Sequence, residues 1–374
     1  MKPRLHTIAI GGRHQFFHFL PAAFELARRG NCDAVIFVPN VNAEAAVQRL
    51  AQDLDLPCPP IIALTLPGPL EWLAERMPPS FTKMLRLLVH ARRLRAADML
   101  LSAERTSTLL KRLPGACPTF VHIPHGAGDR AVGFERRLAL FDRIITIGQK
   151  DCERMIAAGV AHRDKVQAGG SVKLATVARL PAPRPLFNND RPTVLYNPHF
   201  SADLGSFNAV AQRLIEQVSV SGRYNLVVAP HLRLAENWSR ERITKWEAKS
   251  QSGSLIVDMG SERSVNMNYT LGADIYFGDV SSQVYEFAFH PRPCVFVNSH
   301  KLDWEGDPNY AMWKFGPVVD PDADFVAAID DAIATHANYA KEQRDRTTYA
   351  LGLGPDDGVD AIDRVADLLE NMLL

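Results

Sequence analysis

Four histidines stand directly behind short apolar runs, at points where a strand gives way to a turn. His14 follows Gly11-Gly12-Arg13, His125 lies in Ile123-Pro124-His125-Gly126, His199 in Asn197-Pro198-His199-Phe200, and His231 in Ala229-Pro230-His231-Leu232. An imidazole can remove a hydroxyl proton near neutral pH or, when protonated, help neutralise a diphosphate. A lone histidine is more often a satisfied structural residue. Several at the carboxyl ends of parallel strands would line the crevice where α/β proteins bind ligands. Gly126, with Gly128 close behind, would let the backbone approach such a ligand.

A second constellation lies in Ala273–Phe287. Asp274–Phe277 reads as a buried strand and Ser282–Phe289 as an amphipathic helix, with Gly278-Asp279-Val280-Ser281-Ser282 between them. A helix beginning at Ser281 or Ser282 offers unpaired N–H groups and a partial positive charge, which suits a phosphate. Glu286 follows Ser282 by four residues and so faces the same side one turn deeper. The plainer alternative is a serine N-cap in front of a core helix.

The elements that must position these groups alternate along the chain. In the first half, strands are expected at Thr7–Ile10, Asp33–Val38, Met99–Leu101, Pro118–Ile123 and Arg143–Ile147, each followed by a helix or turn. Leu180–Pro192 carries four prolines and Asn188-Asn189-Asp190, a composition that breaks regular structure and marks a linker. The alternation then restarts. Strands are expected at Thr193–Tyr196, Asn225–Ala229, Leu255–Asp258, Asp274–Phe277 and Cys294–Val297, with helices near Phe207–Val218, Glu236–Lys249 and Val265–Leu271. Helices at Asp324–His336 and Val359–Leu373 close the chain. Strands spaced by helices imply parallel sheets. The expected organisation is a Rossmann-like domain over residues 1–180, a linker over 181–192 and a second Rossmann-like domain over 193–374.

Composition narrows the function classes. At 374 residues the chain exceeds one ordinary core, and 47% apolar with 22% charged residues is globular. Zero formal net charge argues against a nucleic-acid binder. Five scattered cysteines without a C-x-x-C pair argue against a disulfide framework or zinc site and fit a reducing cytosol. No secretory leader or bilayer-spanning run is expected, because Gly11-Gly12-Arg13-His14 cuts the opening apolar stretch. The segment 81–95 departs from the pattern, with Lys83, Arg86, Arg92, Arg93 and Arg95 set among Leu, Met and Val. It reads either as a solvated face on a core helix or as a basic amphipathic contact with the inner face of a membrane.

The order of these pieces resembles the CDP-glycerol glycerophosphotransferases, the teichoic-acid polymerase and primase group. His125-Gly126 matches that family's His-Gly motif, Asn197-Pro198-His199-Phe200 occupies its Pro-Thr-aromatic turn, and His231 matches its later histidine. Asp279-Val280-Ser281-Ser282 with Glu286-Phe287 matches its Asp-Tyr-Ser-Ser turn and the helix that follows. Arg292-Pro293-Cys294-Val295-Phe296, Gly316-Pro317-Val318-Val319 and Asp356-Asp357-Gly358 also have counterparts, so the likeness covers roughly residues 115–374. Two departures touch the chemistry. Ala127-Gly128-Asp129-Arg130 replaces the family's Thr-Pro and lysine, and Ser201-Ala202-Asp203 lacks its basic residue. Ser281-Ser282-Gln283-Val284-Tyr285-Glu286 more distantly resembles the Ser-Gly-Gly-x-x-Glu element of UDP-N-acetylglucosamine 2-epimerases.

The resemblance implies a GT-B fold, two Rossmann-like domains with parallel sheets facing across a cleft. It implies a nucleotide-activated donor, CDP-linked or an NDP-sugar, and a glycan or lipid-linked acceptor, with no cofactor and no metal. His125 would be the base for the acceptor hydroxyl and His231 would stabilise charge on the diphosphate. Gly126, His199, Asp279, Ser281, Ser282, Gln283 and Glu286 would bind substrate or nucleotide, with Glu286 on the ribose. A UDP-sugar epimerase or hydrolase would instead need carboxylate acid–base groups, for which Asp129, Asp279 and Glu286 are the candidates. A nucleotide- or glycan-binding scaffold without catalysis is the third reading.

Overall fold

A computed structural model describes residues 2–74, 76–129, 136–182, 185–353 and 360–373. Arg130, the Asp356-Asp357-Gly358 motif and the expected helix start at Val359 lie outside the described residues, as do positions 183 and 184 of the linker.

Seven strands form the first sheet: β1 (Arg4–Ile8), β2 (Asp33–Val38), β3 (Ile61–Ala63), β4 (Met99–Ser102), β5 (Thr119–His122), β6 (Arg143–Thr146) and β7 (Val166–Ala168). Six form the second: β8 (Thr193–Asn197), β9 (Asn225–Val228), β10 (Leu255–Val257), β11 (Ile275–Gly278), β12 (Cys294–Val297) and β13 (Val318–Val319). Their orders are β3-β2-β1-β4-β5-β6-β7 and β10-β9-β8-β11-β12-β13. Every pairing within them is parallel. Both sheets reverse their winding between the first and fourth strands, so the ends of β1 and β4, and of β8 and β11, are where ligands are expected.

The strands read as near-continuous apolar runs because helices cover both faces. In the first sheet Met99 and Leu101 enter one core with Ile36, Val38 and Val121. Leu100, Phe37 and Phe120 enter the core on the other face, as a period of two requires. In the second sheet Val194, Tyr196, Leu226, Val228, Ile275 and Phe277 share one core with the helix Phe207–Ser221.

Packing divides the chain into Met1–Gly126, Val132–Pro181 and Tyr349–Leu374 as one unit, and Ala127–Ala131 with Ala182–Thr348 as the other. This corrects the expected boundary, because the closing helix belongs with the first unit and not the second. Helix Ala361–Leu373 sinks Ile362, Val365 and Leu369 into the first core beside helix Leu20–Arg29. Arg29 fixes the join by donating to Glu25 at 2.9 Å, Asp367 at 2.5 Å and Glu370 at 2.9 Å. The sequence hides this because an apolar stripe says that a helix is buried, not against which sheet.

Several element bounds also shift. The helix expected at Asp324–His336 runs over Phe325–Leu351. The one expected at Val265–Leu271 is split into Glu262–Val265 and Asn268–Gly272, with Met267 between them at φ 62°. The segment after β4 forms a 3-10 helix over Arg105–Arg112.

Candidate active site

In the first unit, β1, β4 and β5 lie side by side, and each delivers a polar loop at its carboxyl end. After β1 the 3-10 helix Arg13–His18 carries His14 and His18; after β5 comes His125. The ring of His125 meets His14 edge-on at 5.7 Å between centroids and His18 at 6.4 Å. Glu104, two residues beyond β4, accepts from Gln15 Nε2 at 3.0 Å and from Lys83 Nζ at 2.9 Å. Gly11 is needed at the mouth of this loop, since a Cβ there would strike the Gln15 amide and the Glu104 carboxylate.

Electrostatics sets the protonation of this cluster. Burial lowers His18 well below the usual histidine range, and Lys173, His125 and His14 push it the same way. His125 is an exposed residue overall, yet its imidazole is closely surrounded. Protein crowded around it, then His14, Arg105 and Lys83, hold its pKa down at about 4 against the pull of Glu104. Its imidazole is therefore neutral at physiological pH and able to accept a proton. Burial opposes the charge on Glu104, but Lys83 and Gln15 outweigh it and lower that carboxyl. Gly126 follows at φ 82°, a left-handed turn that suits glycine.

In the second unit the ends of β8, β9 and β11 are adjacent, and His199 and His231 sit on the first two. Their ring centroids are 6.1 Å apart, with Phe200 lying 4.9 Å from His231 and the Arg233 guanidinium 4.2 Å above Phe200. Both histidines are held by the chain itself. Ser201 N–H donates to His199 Nδ1 at 3.1 Å, and Arg233 N–H donates to His231 Nδ1 at 3.2 Å. A ring nitrogen that accepts carries no proton, so in the neutral ring the proton is on Nε2. The two side chains thus form a matched pair of Nε2–H donors.

The β11 loop completes this end of the sheet. Asp279 is fully buried and accepts from His199 N at 2.8 Å, Ser206 N at 2.6 Å and Ser206 Oγ at 2.7 Å. Its carboxylate, kept high in pKa by burial against those donors, locks the β8 and β11 loops together. Ser281 is also buried and donates to Asn197 Oδ1 at 2.9 Å, while Asn197 Nδ2 donates to Ala229 O at 2.6 Å. One asparagine therefore ties the ends of β8, β9 and β11. Ser282 is the N-cap of helix Gln283–Ala288 and, with Gln283, remains partly exposed. Glu286 is on that helix and buried.

The structure thus groups His199, His231, Asp279, Ser281 and Ser282 at one end of the second sheet, and His125 and Gly126 with His14 and His18 at one end of the first. Glu104, Gln15, Lys83 and Asn197 escaped the sequence reading. Glu104 and Asn197 had a usable signal, since each is polar and stands at the carboxyl end of an apolar run. Gln15 and Lys83 had none, because their partner is far away in sequence. Asp129 is buried, accepts from Tyr285 Oη at 2.8 Å on both oxygens and from Met312 N at 3.0 Å, and serves as an anchor.

This geometry sits on a known scaffold. MnaA from S. aureus, solved with UDP, superposes with a TM-score of 0.65 at 12% identity, over 100% of this chain and 97% of that one. UDP-GlcNAc 2-epimerase from Neisseria meningitidis bound to UDP-GlcNAc gives 0.64 at 11%, over 98% and 100%. The wall teichoic acid polymerase TagF in a CDPG soak gives 0.63 at 14%, over 100% and 89%. The fold is GT-B. No protein-family model matches the chain, and no curated relative matches it by sequence. The GT-B scaffold is common to both families that the motifs resemble, and these neighbours are enzymes.

Proposed function

We propose that the chain is a GT-B transferase that moves a polyol-phosphate, or a sugar, from a nucleotide-activated donor to a hydroxyl of a cell-surface polysaccharide precursor. The observation that carries this reading is that His199 and His231, at the sheet end that also holds the Ser281-Ser282 turn, each accept a backbone N–H at Nδ1, which in the neutral ring puts the proton on Nε2. Donors preset toward an anion cost no reorganisation when charge develops. In this reading Ser282 and the turn around it hold the diphosphate, and Glu286 accepts from the ribose hydroxyls. Asp279 and Ser281 act by holding the loops in place.

With a CDP-polyol donor, His125 removes the acceptor hydroxyl proton while that oxygen attacks the β-phosphorus. The bond from phosphorus to the bridging oxygen breaks, CMP leaves, and His199 and His231 stabilise the charge on its phosphate. The epimerase or hydrolase reading is weaker on one point: all three of its candidate carboxylates, Asp129, Asp279 and Glu286, are buried, and the first two accept from protein donors.

A ligand that binds only the folded state raises the melting temperature. CDP and CMP are expected to stabilise the protein more than UDP and UMP. A preference for uridine nucleotides would move the reading to UDP-sugar chemistry, and no stabilisation by any nucleotide would end it.

A further inference from the structure

The helix Pro79–Val89 wears its polarity inside out. Its polar side chains turn into the first unit: Thr82 donates to Ala74 O at 2.8 Å, Lys83 to Glu104 at 2.9 Å, and Arg86 to Leu64 O at 2.6 Å and to Glu71. Leu87 is buried on the same side, and His90 just beyond the helix bonds Thr65 O at 2.7 Å. At 100° per residue the opposite face is Phe81, Met84, Leu85 and Leu88. Leu88 and Val89 are 40% and 42% exposed, and the first three are partly so.

Exposed apolar side chains also precede this helix. Trp72 and Met77 are 59% and 38% exposed, and the Arg76 guanidinium lies 4.1 Å over the Trp72 ring. Among the described charged residues from 67 to 93, the exposed ones are Arg76, Arg92 and Arg93, all cationic. Of the basic residues in 81–95, Lys83 and Arg86 point inward and Arg95 bonds Pro114 O and Gly115 O, which leaves Arg92 and Arg93 exposed. What is exposed here is apolar side chains, a tryptophan and arginines.

We propose that this face, centred on Trp72, Leu85 and Leu88, docks on an anionic phospholipid bilayer. Among the described residues the exposed charge there is cationic, which complements acidic headgroups. A half-exposed tryptophan stacked with arginine suits the headgroup boundary, where apolar side chains enter the acyl edge and cations stay at the phosphates. The inner face of the same helix reaches Glu104 through Lys83, so a docked helix would set the His125 cluster beside a lipid-borne acceptor; this last clause alone rests on the transferase reading.

The test is co-sedimentation of the full chain with vesicles of phosphatidylcholine, with and without one quarter phosphatidylglycerol, at low and high salt. Binding is expected to the anionic vesicles only, weakened by salt. Trp72→Ser with Leu88→Glu should reduce the bound fraction at least tenfold, and Arg92→Glu with Arg93→Glu should act similarly. Circular dichroism melts and nucleotide-induced stabilisation of these variants should stay as in wild type, which separates failure of docking from failure of the proposed function. No sedimentation with anionic vesicles, or binding untouched by the Trp72/Leu88 pair, overturns the proposal. So does a dimer in light scattering that Leu88→Glu dissolves while vesicle binding is absent, since the face would then join two copies.

Discussion

At the scale of single residues, the strongest claims concern His125 and Glu286. A neutral His125 is ready to accept a proton, and replacing a general base costs about two to four orders of magnitude in rate. His125→Ala should lower turnover by that amount with donor affinity nearly unchanged; turnover close to wild type would pass the base role to another histidine. Its pKa lies at about 4. Lowered pKa means the base form persists as pH falls, so the acid limb of turnover should begin well below pH 6.5. A limb centred at 6.5 or higher would contradict the environment described for this ring. Glu286→Gln should weaken nucleotide binding about tenfold, because charged hydrogen bonds to a ribose contribute on the order of 1.5–3 kcal/mol. Titration with CDP and 2′-deoxy-CDP checks it: a wild type blind to the 2′-hydroxyl would remove the ribose contact. His125, His199, His231 and the serines could be picked out of the sequence because a strand end is a local feature. That Asp279 and Ser281 are buried ties could not, since Ser206 and Asn197, their partners, lie more than seventy residues away.

At the scale of elements, the sequence reading did well wherever a period is self-contained. The strands at Asp33–Val38 and Cys294–Val297 have the expected bounds, because a parallel strand covered on both faces is a compact apolar run. It did less well where tertiary contacts decide. β13 is only Val318–Val319, too short to show a pattern, and exists through pairing with β12. The closing helix carries the clearest expectation at this scale. Leu369 is fully buried on Ala361–Leu373 in the first core. Leu369→Ala should therefore cost about 2–5 kcal/mol, the usual range for a buried leucine. Hydrogen exchange can show where: the loss should appear in the first unit, in helix Leu20–Arg29 and β1, not in β8–β12. Faster exchange confined to the second unit would mean that the helix is assigned to the wrong core.

At the scale of the whole molecule, the first unit contains an acid-sensitive core. His122 lies against Phe141 at 4.6 Å with Nδ1 bonded to Ser102 O at 2.9 Å. Burial drives its pKa down to about 3, with His125 and Arg105 adding to the shift and the Ser102 bond opposing it. His18 is lowered by burial and by Lys173. For a group whose pKa falls on folding, the unfolded chain binds protons that the native state refuses. Stability is therefore fully present above the unfolded value near 6.5 and declines as pH drops toward the folded value. For His122 the linkage amounts to about 2 kcal/mol by pH 5, an appreciable share of a domain's usual margin, and His18 acts in the same direction. Carboxylates such as Glu25, lowered by its bonds to Arg28 and Arg29 against burial, add their loss only below about pH 4.5. The melting transition of the first unit should consequently fall steeply between pH 6.5 and 5, with β4 and β5 amides exchanging first. His122→Phe, which keeps the stack on Phe141 and removes one titrating group, should start less stable from the lost bond to Ser102 yet lose less on acidification. A melting temperature level from pH 7 to 5 in wild type, or an equal slope in His122→Phe, would mean that these rings are hydrated or charged in the native state.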